Sequence, residues 1–191
     1  MDNIMRAVIF FISVLLAVNF CSCKGDFNTY TSKVNGNEIE VRLEKHSDSL
    51  YDIKLIVNGI LNSTWELKYP VYRFDFGDVT GDNIPEIGVG VTKTTRFDPK
   101  LDKRLFLFRI TDDYYIRPLW LGSRVAQPLT DFRIIENDST GFIRTIEREK
   151  SGKYLTANYC WRGFGLHFTN YIEREIDEKQ ARKLMNDKTI K

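Results

Sequence analysis

One segment, Phe74–Val91, reads FDFGDVTGDNIPEIGVGV and predicts an acidic loop between two apolar strands. Inside it, oxygen-bearing side chains stand at every second position, and one more follows four residues later; they are Asp78, Thr80, Asp82 and Glu86. Gly81 and Asn83 lie among them, and both residue types accept the left-handed backbone of a tight turn. Because carboxylates on alternate residues of such a turn converge on one point, the loop suits a hard cation.

Calcium matches this set of side chains, because it binds six to eight oxygen atoms from carboxylates, carbonyls and water. The predicted ligands are the carboxylates of Asp78, Asp82 and Glu86, the hydroxyl or carbonyl of Thr80, and the carbonyl of Ile84. The ion is expected to stabilise the fold and to do no chemistry. The alternative is an acidic turn without a metal, in which Asp78 accepts hydrogen bonds from backbone N–H groups.

The composition indicates one globular domain and argues against nucleic acid as a partner. The chain has 191 residues, of which 42% are hydrophobic and 13% aromatic, enough for a packed core. Its 28 basic and 26 acidic residues leave a formal net charge of +2. A charge this balanced, without a basic patch, does not favour nucleic-acid binding.

The N-terminus predicts export. Arg6 precedes the apolar run Ala7–Val18, which has the length of a signal-peptide core and is too short for a membrane span. Cys21-Ser22-Cys23 follows directly. A plain secretory signal is one interpretation of this segment. It also resembles a bacterial lipobox that ends at Cys23, with the small Ser22 just before the cysteine.

The resemblance to bacterial lipoproteins implies that residues 1–22 are a signal peptide and that Cys23 carries the lipid. The expected location is then the cell envelope, with the membrane as a partner through a lipid anchor in the outer membrane. The next residues, Lys24-Gly25-Asp26, resemble the short charged signal by which some Gram-negative lineages send lipoproteins to the cell surface. Both a surface-facing and a periplasm-facing domain remain open.

The rest of the chain predicts an all-β domain between a tether and a helical tail. Residues 23–35 are small and polar and are interpreted as the tether. Residues 36–172 contain about eleven apolar or alternating runs separated by turn residues, which favours antiparallel blade-like, propeller-type units, with a sandwich as the alternative. Leu105–Ile110 is strongly apolar, with Arg109 as its one charged residue, which indicates a strand buried on both faces. Residues 173–191 form the predicted helical tail, with Ala181 and Met185 near helical spacing.

A faint internal repeat supports the blade-like interpretation. Trp65 and Trp120 stand 55 residues apart, and each precedes a proline and then a pair of adjacent Phe and Asp residues. This spacing is near the size of one four-stranded blade. The second copy lacks the acidic loop and keeps only Asn137 and Asp138 in its place.

The acidic segment resembles the calcium loop of FG-GAP and VCBS-type β-propeller repeats. That loop reads Asp-x-Asp/Asn-Gly-Asp-Gly-x-x-Asp/Glu and is followed by an aliphatic residue. The matching residues are Asp78, Gly81, Asp82, Glu86 and Ile87. Thr80 replaces the usual second carboxylate or amide, and Asn83 replaces the second glycine. The resemblance covers about 20 residues with the flanking strands, and it implies a structural calcium ion in a propeller-type blade.

Two regions supply candidate residues for binding a ligand. Lys93, Arg96 and Phe97 lie in the connection that follows the strand after the acidic loop, and connections at strand ends commonly carry function. Trp120 is a candidate for stacking on a carbohydrate. The alternatives are a solvated connection for the first three residues and a place in the core for Trp120.

The function predicted from these features is an exported, lipid-anchored binding or adhesion module that is not catalytic. Its expected partner is an envelope protein or a glycan. No nucleophile-elbow sequence or zinc-ligand spacing supports an enzyme. Two alternatives remain: a small hydrolase that acts on envelope polymers or glycans, and a structural component of the envelope.

Overall fold

The computed structural model describes residues 28–96, 98–122, 125–137, 140–187 and 189. Within them it contains twelve strands and one helix. The predicted signal peptide and the predicted lipidation site, Cys23, lie outside the described residues, as does Phe97. None of the described helical segments has the length and hydropathy needed to cross a membrane.

The twelve strands form three antiparallel sheets of four, each built from consecutive strands. The first sheet contains β1 (Thr29–Val34), β2 (Asn37–Ser47), β3 (Leu50–Val57) and β4 (Ile60–Leu67). The second contains β5 (Val71–Gly77), β6 (Glu86–Lys93), β7 (Asp102–Ile110) and β8 (Ile116–Leu121). The third contains β9 (Leu129–Ile135), β10 (Phe142–Arg148), β11 (Tyr154–Arg162) and β12 (Gly165–Ile176), and helix α1 (Glu178–Asn186) follows it. The predicted all-β class with a short C-terminal helix is confirmed.

Short turns explain why neighbouring strands pair in sequence order. β3 and β4 are joined by Asn58 and Gly59, with φ of +48° and +80°. A two-residue hairpin turn needs positive φ at both positions, and Asn-Gly is the pair that meets this need most readily. Asn35 and Gly36 join β1 and β2 in the same way, with φ of +49° and +81°.

The second sheet lies between the other two, and alternate residues of β7 explain how. Phe106 and Phe108 pack into the core shared with the first sheet. Leu105 and Leu107 point to the opposite side and pack into the core shared with the third sheet. All four side chains are at most 3% exposed, and each contributes about 2–3 kcal/mol by leaving water. The predicted burial of this strand on both faces is confirmed.

The tether predicted over residues 23–35 is wrong in its second half, because Thr29–Val34 forms β1. The prediction failed because the strand is mostly polar and stands at an edge of its sheet, where few side chains need burial. Two residues hold it: Val34 is 3% exposed, and the ring of Tyr30 stacks on Phe76 with centroids 5.5 Å apart. The β region also extends four residues past the predicted end at 172, to Ile176.

Helix α1 covers the outer face of the third sheet. Asp177 caps its N-terminus, where the carboxylate accepts a hydrogen bond from Gln180 N at 2.8 Å. Ala181 and Met185 are buried against Ile146 and Ile176. The helix therefore closes the stack of layers on this side.

The internal repeat has a structural counterpart. Trp65 lies in the last strand of the first sheet, and Trp120 lies in the last strand of the second. Trp65 packs on Phe108 of the second sheet with ring centroids 5.4 Å apart, and Trp120 packs into the core of the third sheet. Each sheet thus contacts the next through a tryptophan in the same strand. The three sheets are blade-like units packed face to face, an arrangement that also fits the sandwich alternative.

Candidate functional site

Asp78 organises the acidic loop, which connects β5 to β6. Its Oδ1 accepts hydrogen bonds from the backbone N–H groups of Thr80 at 3.1 Å and Gly81 at 2.6 Å, and its Oδ2 accepts one from Asn83 at 2.8 Å. Gly81 and Asn83 have φ of +83° and +65°. The chain therefore turns around this carboxylate, as expected for the acidic turn that was the alternative to a metal site.

Glu86, the first residue of β6, points into the loop and is only 1% exposed. Its Oε2 accepts hydrogen bonds from the backbone N–H groups of Val79 at 2.9 Å and Thr80 at 3.2 Å, and its Oε1 accepts one from the Thr80 hydroxyl at 3.3 Å. Burial raises the pKa of Glu86 to about 7, and the nearby charges of Asp82 and Asp78 act in the same direction. Among the described residues, no lysine or arginine forms an ion pair with Glu86.

Asp82 and Ile84 complete the predicted ligand set. Asp82 is exposed, and its Oδ1 accepts a hydrogen bond from the Ile84 N–H at 2.8 Å. The side chain of Ile84 packs against the core between the first two sheets. All three carboxylates therefore accept hydrogen bonds from the loop's own N–H groups, and that of Asp82 also faces solvent.

The fit of a calcium ion depends on chemistry and on placement. The donors are all oxygen, and a carboxylate that accepts N–H bonds keeps further lone pairs for a cation. As placed, however, no group of three or more His, Cys, Asp or Glu side chains in the described part of the chain is arranged to hold a metal ion. The loop thus fits calcium by its donor types, and the side chains need to turn before they enclose an ion.

The acidic loop also touches the third sheet. The N–H of Gly141 donates a hydrogen bond to the carbonyl of Asp78 at 2.8 Å. A Cβ atom added at Gly141 would lie 2.5 Å from that same carbonyl oxygen, and one added at Gly81 would lie 2.6 Å from the Thr140 hydroxyl. Since residues 140 and 141 belong to the β9–β10 connection, the acidic loop packs against its counterpart in the next sheet.

The other predicted ligand-binding residues are spread over the structure. Lys93 ends β6, at the opposite end from Glu86, where its Nζ donates to the Tyr69 hydroxyl at 3.2 Å and lies 4.4 Å from the centre of that ring. Arg96 is exposed in the β6–β7 connection. Trp120 is half-buried, and its Nε1 lies 3.3 Å from the position of a Cβ added at Gly165. Trp120 is thus mainly a packing residue.

The sequence did not reveal an exposed aromatic surface on β12 and the turn before it. We call Phe164, Phe168 and Tyr171 the aromatic edge. Their exposed fractions are 102%, 37% and 41%, and the rings of Phe168 and Tyr171 have centroids 4.6 Å apart. The guanidinium of Arg174 lies 4.8 Å from the centre of the Tyr171 ring. The alternation of polar and apolar residues did not predict this surface, because it does not show which face of an edge strand stays uncovered.

Two buried carboxylates have structural roles. Glu147 accepts hydrogen bonds from the Tyr159 hydroxyl at 2.8 Å, the Thr145 hydroxyl at 2.7 Å and the Gln127 N–H at 2.6 Å. Burial raises the pKa of Glu147, and these hydrogen bonds offset part of that increase. Glu149 accepts from Arg174 Nε at 2.9 Å. Both groups are held inside the fold by the chain itself.

Comparison with known proteins places the chain in no family. No protein-family model matches the sequence, and no curated protein matches it.

Proposed function

We propose that this protein is an exported, lipid-anchored binding module of the cell envelope that does no catalysis. Lipid on Cys23 holds it to the outer membrane, and the aromatic edge contacts an envelope protein or a glycan. The acidic loop holds a calcium ion that stabilises the fold. The single observation that carries the binding role is the aromatic edge.

The aromatic edge is favoured as a contact surface because of its composition and place. Phe164, Phe168 and Tyr171 expose apolar rings that gain free energy when a partner covers them, and aromatic side chains dominate the energy of many interfaces. β12 is the last strand in its sheet, and within the described residues no strand pairs along its outer side. Such an edge offers free backbone groups beside the rings.

The buried carboxylates form hydrogen bonds within the chain, which favours a non-catalytic role over the hydrolase alternative. Glycoside hydrolysis needs two carboxyl groups that flank a substrate in a cleft. Glu147 and Glu149 are engaged by Tyr159, Thr145 and Arg174 within the chain. These hydrogen bonds suit groups that stabilise the fold.

The calcium part of the proposal rests on charge. Asp78, Asp82 and Glu86 lie close enough for the first two to raise the pKa of the third. A divalent cation in the loop removes this repulsion. Exported proteins meet calcium at concentrations that suit sites with Kd on the order of 10⁻⁴–10⁻³ M.

Changing Phe164, Phe168 and Tyr171 together to Ser is expected to reduce the envelope partner recovered after crosslinking in cells at least about tenfold. The reason is that the rings supply the apolar area buried by the partner. Recovered material is identified by mass spectrometry for proteins and by sugar analysis for glycans. The variant should remain folded, with a melting temperature lower by up to about 8 °C, because Phe168 and Tyr171 are partly buried and Phe168 packs on Tyr159.

The matched control changes Ile60 and Leu61 to Ser. These residues are 71% and 55% exposed in the β3–β4 hairpin, so the change removes a similar exposed apolar surface elsewhere, and recovery should be unchanged. A Cys23→Ser chain should leave the membrane fraction, because stable anchoring needs the acyl chains. Equal recovery from the aromatic-edge variant and the native protein would refute the contact surface. Release of fragments from a glycan panel would favour the hydrolase.

A further inference from the structure

The first strands of the three sheets meet at a cleft of about 310 Å³, which we call the central cleft. β1 contributes Tyr30, β5 contributes Asp75, and β9 contributes Arg133. Glu136 follows β9 at the rim, and Met185 closes the cleft from helix α1. Its volume is at the lower end of the range for small-molecule sites, which is enough for a ligand of a few heavy atoms.

Arg133 is the unusual residue in this cleft. Its Nε is buried without a hydrogen-bond partner, and its side chain forms no ion pair with another described residue, although its positive charge acts on Asp75 and lowers the pKa of that carboxyl. In the β9–β10 ladder it stands opposite Arg144, so two guanidinium groups occupy directly paired positions. Like charges at such positions repel each other, and a buried polar group without a partner is uncommon in a folded protein.

The neighbouring charged groups are already engaged elsewhere. Arg144 donates to Asn158 Oδ1 and to the Leu184 carbonyl, both at 3.0 Å. Asp75 accepts hydrogen bonds from the Ile134 N–H at 2.9 Å and from the Phe76 N–H at 3.0 Å. Asp75 attracts Arg133 without hydrogen bonding to it, so the half-buried guanidinium of Arg133 keeps N–H groups that can donate to a group from outside.

The chemistry of the cleft defines the class of that group. A guanidinium binds a planar carboxylate through two parallel hydrogen bonds. Asp75 and Glu136 lie on the same cleft and repel a multiply charged anion such as phosphate, whereas Glu136, which is exposed, can accept from an ammonium group. A small molecule with both a carboxylate and an amine can bind the guanidinium of Arg133 and the carboxylate of Glu136 together.

We propose that the central cleft binds a free amino acid, with Arg133 holding the carboxylate and Glu136 the ammonium group. The site is separate from the aromatic edge, so it does not depend on the proposed envelope contact. Tyr30 forms one wall, with its hydroxyl directed at the Phe74 carbonyl at 3.2 Å.

The test measures binding of the twenty standard amino acids to the chain from residue 24 by ligand-observed NMR, followed by calorimetry. At least one should bind with a Kd below about 10 mM. The carboxamide of the best-bound amino acid should bind at least about tenfold more weakly, because it cannot form the charged pair with Arg133. Arg133→Met should cause the same loss, and Glu136→Gln a smaller one.

Thermal melts separate a binding role of Arg133 from a structural one. Since Arg133 forms no hydrogen bond or ion pair within the described chain and loses only its longer-range attraction to Asp75, Arg133→Met should change the melting temperature by no more than about 3 °C. Arg117→Met, at an exposed arginine of β8 that lies over Tyr115, is the control and should bind like the native protein. The proposal is overturned if no amino acid binds at 10 mM, if phosphate binds as well as the best amino acid, or if Arg133→Met binds equally well.

Discussion

Gly141→Ala is expected to destabilise the protein by about 3 kcal/mol, although it adds only one methyl group. The new Cβ would lie 2.5 Å from the Asp78 carbonyl oxygen and 3.0 Å from the Ile135 carbonyl oxygen. Both atoms belong to backbone, which cannot rotate away as a side chain does. The backbone would have to move to relieve these contacts. That movement would stretch the hydrogen bond from Gly141 N to Asp78 O and push the acidic loop off the third sheet.

A melt followed by circular dichroism measures this effect, with an expected drop of about 6–12 °C for a chain of this size. Gly165→Ala is the matched control, since the nearest atom to its new Cβ belongs to the side chain of Trp120 at 3.3 Å, which can move. The control should melt within about 3 °C of the native protein. A Gly141→Ala protein that melts like the control would mean that the acidic loop does not pack on the β9–β10 connection.

Asp131→Ala is expected to cost about 3 kcal/mol, because it removes a 4% exposed carboxylate and leaves the part-buried Arg73 without its ion-pair partner. Asp131 Oδ1 accepts from Arg73 Nε at 2.9 Å, which links β9 to β5 of the second sheet. Its Oδ2 accepts from Arg182 Nη1 at 3.3 Å, which links β9 to helix α1. One side chain therefore ties together two sheets and the helix.

Urea denaturation measures this loss, and Glu178→Ala provides the comparison. Glu178 pairs with the same Arg182, but both side chains are nearly half exposed, at 44% and 46%. An exposed pair contributes at most about 1 kcal/mol. Asp131→Asn, which keeps the shape and one acceptor oxygen, should fall between the two. Equal losses from Asp131→Ala and Glu178→Ala would show that burial of Asp131 does not strengthen its ion pairs.

The sequence predicted the strands well because their signals are local. Asn58-Gly59 fixes a two-residue turn by backbone conformation alone, and the apolar run at 105–108 indicates a strand with two covered faces. The strand Thr29–Val34 was missed because it contributes only Val34 and part of Tyr30 to the core. A short, mostly polar strand inside a longer polar segment shows no periodicity that distinguishes it from a tether.

The sites were harder to predict, because they depend on contacts between distant segments. The spacing of Asp78, Asp82 and Glu86 predicted that these carboxylates would gather, and they do. It did not predict that Glu86 would point into the loop and accept its N–H groups. The unpaired state of Arg133 depends on β1, β5 and α1 meeting around β9, which no local pattern reveals.

The acidic loop offers the most direct test, by thermal melts of the chain from residue 24 in chelator, 5 mM calcium and 5 mM magnesium. Binding to the folded state alone stabilises it by RT ln(1 + [L]/Kd), so calcium should raise the melting temperature by about 2–9 °C, and magnesium by less. Asp82→Asn keeps an oxygen for the Ile84 N–H and removes the one exposed carboxylate of the loop. It should melt like the native chain in chelator and show a clearly smaller response to calcium, because an amide oxygen is an uncharged and weaker ligand. A native chain that melts at the same temperature in chelator and in calcium would contradict the calcium site and leave the metal-free acidic turn.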